Sequence, residues 1–377
     1  MTTAVPSANG GLAVAKLGEL PALEDVPPSE RMRLFRQKLK LCCALYDFSD
    51  MRKHVREKEA KRNALLQIVE YISAGKVAWD PSVVADLLEC VGANIFRHLG
   101  RNPSPTALVY EILLRFVLSK EVDSRTAKEY FSKKFMVKLL NLFDSEDPRE
   151  RDYLKTILHR IYGKSMALRS FIRRSINDMF YTFVYETESL QGVGELLEIL
   201  GRRIKLLPLL LMCKQAGNLA MFHQQLAYCT TQFVEKDPQT AEPIILGLLK
   251  YWPVTASAKE ILFLNELEEI IEMVQMEQFA AVLRPLFLRI SLAVCSSHFQ
   301  VSQRALYLWN NESLVRLVSA RRAEILPLIF GALYRNCENH WHSTVQTLTY
   351  NVLKLFMEMD SQLFDQCSAQ FEEREGR

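Results

Sequence analysis

Pro208-Leu209-Leu210, Pro243-Ile244-Ile245, Pro285-Leu286-Phe287 and Pro327-Leu328-Ile329 repeat one pattern at intervals of 35, 42 and 42 residues. Each is a proline followed by two large apolar residues, and each proline stands inside or near the start of an apolar helical segment. A second helical segment follows each one, around Leu226–Val234, Ile261–Val274, Val301–Leu317 and Val345–Phe356. Two helices in about 40–47 residues is the period of HEAT and armadillo repeats. In such a repeat the proline bends the first helix by removing one i→i−4 hydrogen bond.

The rest of the chain agrees with this reading. Its 377 residues exceed what one compact core holds, about 250–300 residues. A stack of helix pairs, each burying its apolar face against its neighbours, removes that limit. Only 14 residues are glycine, so positive-φ turns and Gly-rich phosphate loops have little raw material. No alternating strand and no Asn-Gly or Asp-Gly hairpin turn is found. The expected fold is all-α, a HEAT-like helical-repeat solenoid, elongated and curved, with about eight repeats on that period. Its expected span is residues 29–372, between disordered tails at 1–28 and 373–377.

Local signals place the helix starts. Asp147-Pro148-Arg149-Glu150 offers an N-cap carboxylate, a proline suited to the first helical position and an acid suited to the third. Asp80-Pro81 and Asp237-Pro238 repeat the opening, and Ser257 with Glu260 has capping-box spacing. After Asp147, residues Leu154, Ile157, Leu158 and Ile161 share one helical face.

The formal net charge of +3 argues against a nucleic-acid partner, which favours strongly basic domains. Charge is nevertheless segregated. Lys155, Arg160, Lys164, Arg169, Arg173 and Arg174 stand between Tyr153 and Asn177 with no carboxylate among them. Glu260, Glu266, Glu268, Glu269, Glu272 and Glu277 form an acidic run with no base. Such runs are usually solvated faces. On the concave side of a solenoid, a basic stripe would instead attract an acidic or phosphorylated peptide.

Chemistry-bearing motifs do not appear. There is no G-x-x-x-x-G-K, G-x-G-x-x-G, G-x-S-x-G or H-E-x-x-H, so no catalytic residues are assigned and the chain reads as a binding protein rather than an enzyme. His340 and His342 are too close to share a helical face, and no metal or cofactor site is expected. The eight cysteines lack C-x-x-C pairing and read as reduced, buried thiols. Residues 1–28 lack a signal peptide, and the longest apolar run, Leu206 to Cys213, contains Pro208 and is too short for a membrane span. A cytoplasmic and/or nuclear location is expected.

One stretch is more specific. Phe143-Asp144-Ser145-Glu146-Asp147-Pro148-Arg149-Glu150-Arg151-Asp152, continued by Leu158-His159-Arg160-Ile161-Tyr162-Gly163-Lys164, resembles the B-prime family of regulatory subunits of protein phosphatase type 2A. So do Tyr185-Glu186-Thr187-Glu188, Glu195-Leu196-Leu197-Glu198-Ile199-Leu200-Gly201 and Leu248-Leu249-Lys250-Tyr251-Trp252-Pro253. Phe263 to Glu269, His298-Phe299-Gln300-Val301 and Trp309-Asn310-Asn311-Glu312 continue the likeness, which spans roughly residues 30–372.

The resemblance implies a non-catalytic subunit that assembles with a phosphatase scaffold subunit and a metal-dependent catalytic subunit. It implies that substrate proteins dock through a Leu-x-x-Ile-x-Glu motif in a groove between neighbouring repeats. Carried over by motif, the groove residues are His159, Arg160, Tyr162, Arg169, Glu198 and Ile199. Tyr162 and Ile199 would shape an apolar pocket, and His159, Arg160 and Arg169 would receive the acidic positions. The chain departs from the family in two places. After Gly201 the family carries a longer loop with a basic rim, whereas here Arg202-Arg203-Ile204 follow at once and Arg202 can replace the lost charge. Between Arg101 and Tyr110 a long acidic loop shrinks to Asn102-Pro103-Ser104-Pro105-Thr106. These losses weaken the expected docking of the usual motif. They also motivate the alternative, a stand-alone helical-repeat adaptor that no longer recruits the phosphatase.

Overall fold

A computed structural model describes residues 20–46, 52–96, 106–122, 129–187, 190–200, 214 and 216–375. Among them are seventeen α-helices joined by turns and short 3₁₀ segments. By contacts the chain divides into two compact units, residues 1–179 with 189–199, and residues 180–188 with 200–377. Pro208, Arg202, Arg203 and the shortened loop at 102–105 lie outside the described residues.

The first unit begins with α1 (Pro28–Leu41), α2 (Val55–Ser73), α3 (Pro81–Ile95) and α4 (Thr106–Leu118). It continues through α5 (Lys133–Asn141), α6 (Pro148–Lys164), α7 (from Met166) and α8 (Val193–Leu200). Alternate helices stack: α1 packs on α3, and α4 packs on both α2 and α6. Leu65, Leu87, Phe116, Leu154, Ile157, Leu158 and Ile161 are fully buried, so the apolar face read after Asp147 is the core face of α6. Asp147 does cap α6, accepting from the Arg149 N–H at 2.9 Å. Asp80 precedes α3 as expected, but its side chain makes no capping bond.

The second unit holds α9 (His223–Lys236), α10 (Ala241–Lys250), α11 (Ser257–Met273), α12 (Met276–Val294) and α13 (Phe299–Tyr307). It closes with α14 (Glu312–Ala320), α15 (Arg322–Asn339), α16 (Ser343–Met359) and α17 (Ser361–Glu375). The proline-bearing helices α10, α12 and α15 stack on one another and then on α17. The helices that alternate with them, α9, α11, α13 and α16, stack as a second layer, which is the two-layer arrangement of a helical-repeat solenoid. Pro243, Pro285 and Pro327 are all exposed, whereas Ile244, Ile245, Leu286, Phe287 and Ile329 are buried. Pro285 and Pro327 stand inside their helices, where each removes one i→i−4 bond, and on the exposed face water can reach the freed carbonyl.

Several boundaries differ from the sequence reading. Residues 20–27 belong to the folded part: Leu23 is buried, and Arg31 Nε donates to the Val26 carbonyl at 2.8 Å. At the other end α17 runs to Glu375. The segment Val301–Leu317 is two helices, because Asn311 stops the chain and caps α14 by accepting from the N–H groups of Ser313 and Leu314 at 3.0 and 3.2 Å. The Ser257 capping box does not form. Its acid, Glu260, accepts instead from the Trp252 indole at 2.7 Å.

Candidate functional site

The basic segment of α6 and α7 is where sequence placed the site, and its side chains are mostly engaged within the protein. Lys164 donates to the carbonyls of Ser119 and Val122 at 2.7 and 3.0 Å, closing the C-terminal end of α4. Lys155 bridges Asp152 and Glu198, 3.1 Å from each. Burial of the Lys155 ammonium opposes its charge, but the two carboxylates outweigh that and raise its pKa. His159, Arg160 and Arg174 are exposed. The stripe is therefore less a free charged face than a set of ties with a few solvent-facing cations.

Tyr162 is the centre of these ties. Arg169 reaches back from α7 across the Ser165 corner and donates to the Tyr162 carbonyl at 2.8 Å and the Gly163 carbonyl at 2.9 Å. These are last-turn carbonyls of α6, which lack helical partners. The Arg169 guanidinium also lies 5.4 Å from the Tyr162 ring centre, a cation–π contact. Arg173 donates to the Tyr162 hydroxyl at 3.1 Å. The half-buried ring is thus held at its backbone, face and hydroxyl. Two of the five Arg169 N–H donors are used in these bonds.

The opposing wall comes from α8. Glu198 is exposed and held by Lys155, while Ile199 is 7% exposed and belongs to the core more than to an open surface. Position 202 falls outside the described residues. The α8 helix is set against α6 by Arg151, whose Nε donates to Glu195 at 2.8 Å and whose Nη1 donates to the Ser145 carbonyl at 2.7 Å. Glu150 accepts from the Tyr110 hydroxyl at 2.7 Å and from the Ser145 hydroxyl. The acidic-basic run at 144–152 therefore builds the site without lining it. Sequence reasoning did not place Lys155 and Arg173 in the candidate set, although they contact Glu198 and Tyr162. The i, i+7 spacing of Lys155 and Tyr162, which puts them on one face of α6, was the available signal.

A cavity of about 420 Å³ in the same unit is lined by Ile72, Trp79, Arg115, Leu118 and neighbouring residues, among them Ser119, whose carbonyl accepts from Lys164. Among the described residues no cluster of His, Cys, Asp and Glu could hold a metal ion, and no helix is long and apolar enough to cross a membrane.

Residues 20–377 match the family described as protein phosphatase 2A regulatory B subunit (B56 family). The chain belongs to the B56 family. Among its relatives is the B' beta isoform of the 57 kDa phosphatase 2A regulatory subunit from Arabidopsis thaliana, 46% identical over 95% of this chain and 79% of that one. The 56 kDa delta isoform of Oryctolagus cuniculus is 46% identical over 96% of this chain and 68% of that one. The 56 kDa alpha isoform of Mus musculus is 45% identical over 95% and 80%. As a B56 regulatory subunit the chain is not an enzyme.

Proposed function

We propose that this B56 chain joins a scaffold subunit and a catalytic subunit of protein phosphatase 2A, and that its α6–α8 surface recruits substrate proteins carrying Leu-x-x-Ile-x-Glu-like segments. The subunit itself transfers nothing. It raises the concentration of a chosen phosphoprotein beside the phosphatase active site, which accelerates dephosphorylation without a new chemical step. The observation that carries this reading is the clamped Tyr162. A ring held by Arg169 and Arg173 is a preorganised apolar platform bordered by guanidinium donors, so an incoming segment need not order it. The apolar residues of the segment would lie against Tyr162, and its terminal acid would face Arg160 or Arg169.

Two experiments test the proposal. Co-purification of the full chain with both phosphatase subunits should yield a ternary complex. A folded chain that never enters one would overturn the reading. Calorimetry with a Leu-x-x-Ile-x-Glu peptide should give weak but measurable binding. Arg169→Ala should weaken it by roughly ten- to a hundredfold, about the 1.5–3 kcal/mol of a charge-assisted hydrogen bond. Arg169→Lys should not restore it, since a lone ammonium cannot serve two carbonyls and a carboxylate in the plane of a fork.

A further inference from the structure

We propose that the cavity where the ends of α2 and α4 meet is a further peptide site, one that takes an apolar side chain together with a neighbouring carboxylate from a partner protein. Its volume of about 420 Å³ lies within the range of roughly 300–1,000 Å³ in which pockets enclose a ligand. Much of the lining is apolar. Ile72 and Val77 are buried, and the half-buried Trp79 ring stands edge-on to Phe116 with ring centres 4.9 Å apart. Leu118, in the last turn of α4, lines the same cavity and is 46% exposed, an apolar group left in water.

The walls are tied in place from several elements. Arg115 Nε donates to Glu111 at 2.7 Å, and its Nη1 donates to the Ser73 hydroxyl, which joins α4 to the end of α2. Gly75, at φ +64°, makes the left-handed turn that leaves α2. The Trp79 backbone N–H then donates to the Glu121 carboxylate at 3.4 Å, drawing that linker to the turn after α4. Lys164 holds the same turn through the Ser119 and Val122 carbonyls at 2.7 and 3.0 Å. A cavity held this way is preformed, so an incoming segment does not have to order it.

The unused polar groups define the ligand. The Trp79 indole N–H, the Lys120 ammonium and Arg115 Nη2 find no acceptor among the described residues. All three are donors, so the ligand supplies acceptors. The charged residues of the lining are Arg115, Lys120 and Glu121. Two cations against one carboxylate leave a single positive charge, which one ligand carboxylate balances, whereas a dianionic phosphate would be repelled by Glu121. The wet Leu118 and the Trp79 ring lie in the same lining as these donors, so the acid must come with an apolar neighbour. An extended segment laid along the seam between adjacent helix pairs presents such a pair, and repeat arrays offer long surfaces of that kind.

The test uses the full chain with its four tryptophans labelled with nitrogen-15 at the indole. The Trp79 signal is assigned by its loss in Trp79→Phe. The probe is the capped dipeptide acetyl-Phe-Glu-amide, with acetyl-Phe-Gln-amide, acetyl-Ala-Glu-amide and acetyl-Phe-phosphoserine-amide as its counterparts. Titration should move the Trp79 signal saturably, with a Kd on the order of a millimolar for so small a probe, and leave Trp252, Trp309 and Trp341 in place. The glutamine and alanine counterparts should bind about tenfold more weakly, as should the first probe to Lys120→Glu, a surface change that leaves the fold intact. Arg169→Ala should leave this binding unchanged, which separates the cavity from the α6–α8 surface. A Trp79 signal that does not move would overturn the proposal, as would equal binding of the glutamine counterpart, tighter binding of the phosphoserine one, or loss of binding in Arg169→Ala.

Discussion

Glu266 is a charged group fully buried on α11. Burial alone would raise its pKa. Lys214, 2.5 Å from both carboxylate oxygens, overrides that together with His223 at 3.2 Å and Thr230 at 2.7 Å, and the carboxyl is held at about 2. A carboxylate with a depressed folded pKa stabilises the fold above its unfolded pKa, near 4.5, and ceases to do so as pH falls through about 2. Glu266→Gln leaves Lys214 buried without a counter-charge and should cost about 3–5 kcal/mol at neutral pH. Urea unfolding of both proteins across a pH series should show that gap intact at pH 7 and closing below about pH 4.5. At this scale the sequence was half legible. Tyr162 and Arg169 were named from the family run, but the contact between them was not. Glu266 was not separable from its acidic neighbours, because its partner is 52 residues away and on another element.

At the scale of elements, helix starts and apolar faces were readable because they depend on residues within one or two turns. The Asp147 cap and the α6 face required nothing distant. The Glu260 pairing did, since a tryptophan from the preceding turn displaced the local capping box. Gly192 shows how a close approach hides in plain sequence. A Cβ there would lie 2.4 Å from the Phe143 carbonyl oxygen, so the start of α8 sits directly on the end of the preceding 3₁₀ turn. Gly192→Ala should push α8 away from α6, costing about 1–3 kcal/mol. Because α8 carries Glu195 and Glu198, the same substitution should weaken peptide binding without touching a contact residue. Denaturation and calorimetry on one sample would separate the two effects; unchanged stability would show that α8 is not seated as tightly as the geometry requires.

For the whole molecule, stability in a stacked array is local, each helix answering to its neighbours. In the second unit α15 packs against α12, α16 and α17, whereas α17 lies at the end of its layer against α15 and α16. Hydrogen exchange should therefore be fastest in α17 and slowest in α12 and α15, in keeping with local opening at array ends; uniform protection would contradict this. The layer order was legible from the proline period, since a repeat states its own neighbours. What no period could announce is the role of α11. Four of its five acids each meet a different kind of group: Glu260 an indole, Glu266 an ammonium and an imidazole, Glu268 the Arg304 guanidinium, and Glu272 the Asn311 amide. These pairings act as an address. A HEAT-like module looks interchangeable by outline, but this helix moved one slot along would bury Glu266 with no counter-ion. Shuffling or duplicating repeats is thus barred at this position, while loops between repeats stay free to shorten. Anyone grafting segments of this protein into a consensus array must move everything from Lys214 to the end of α13 as a single piece.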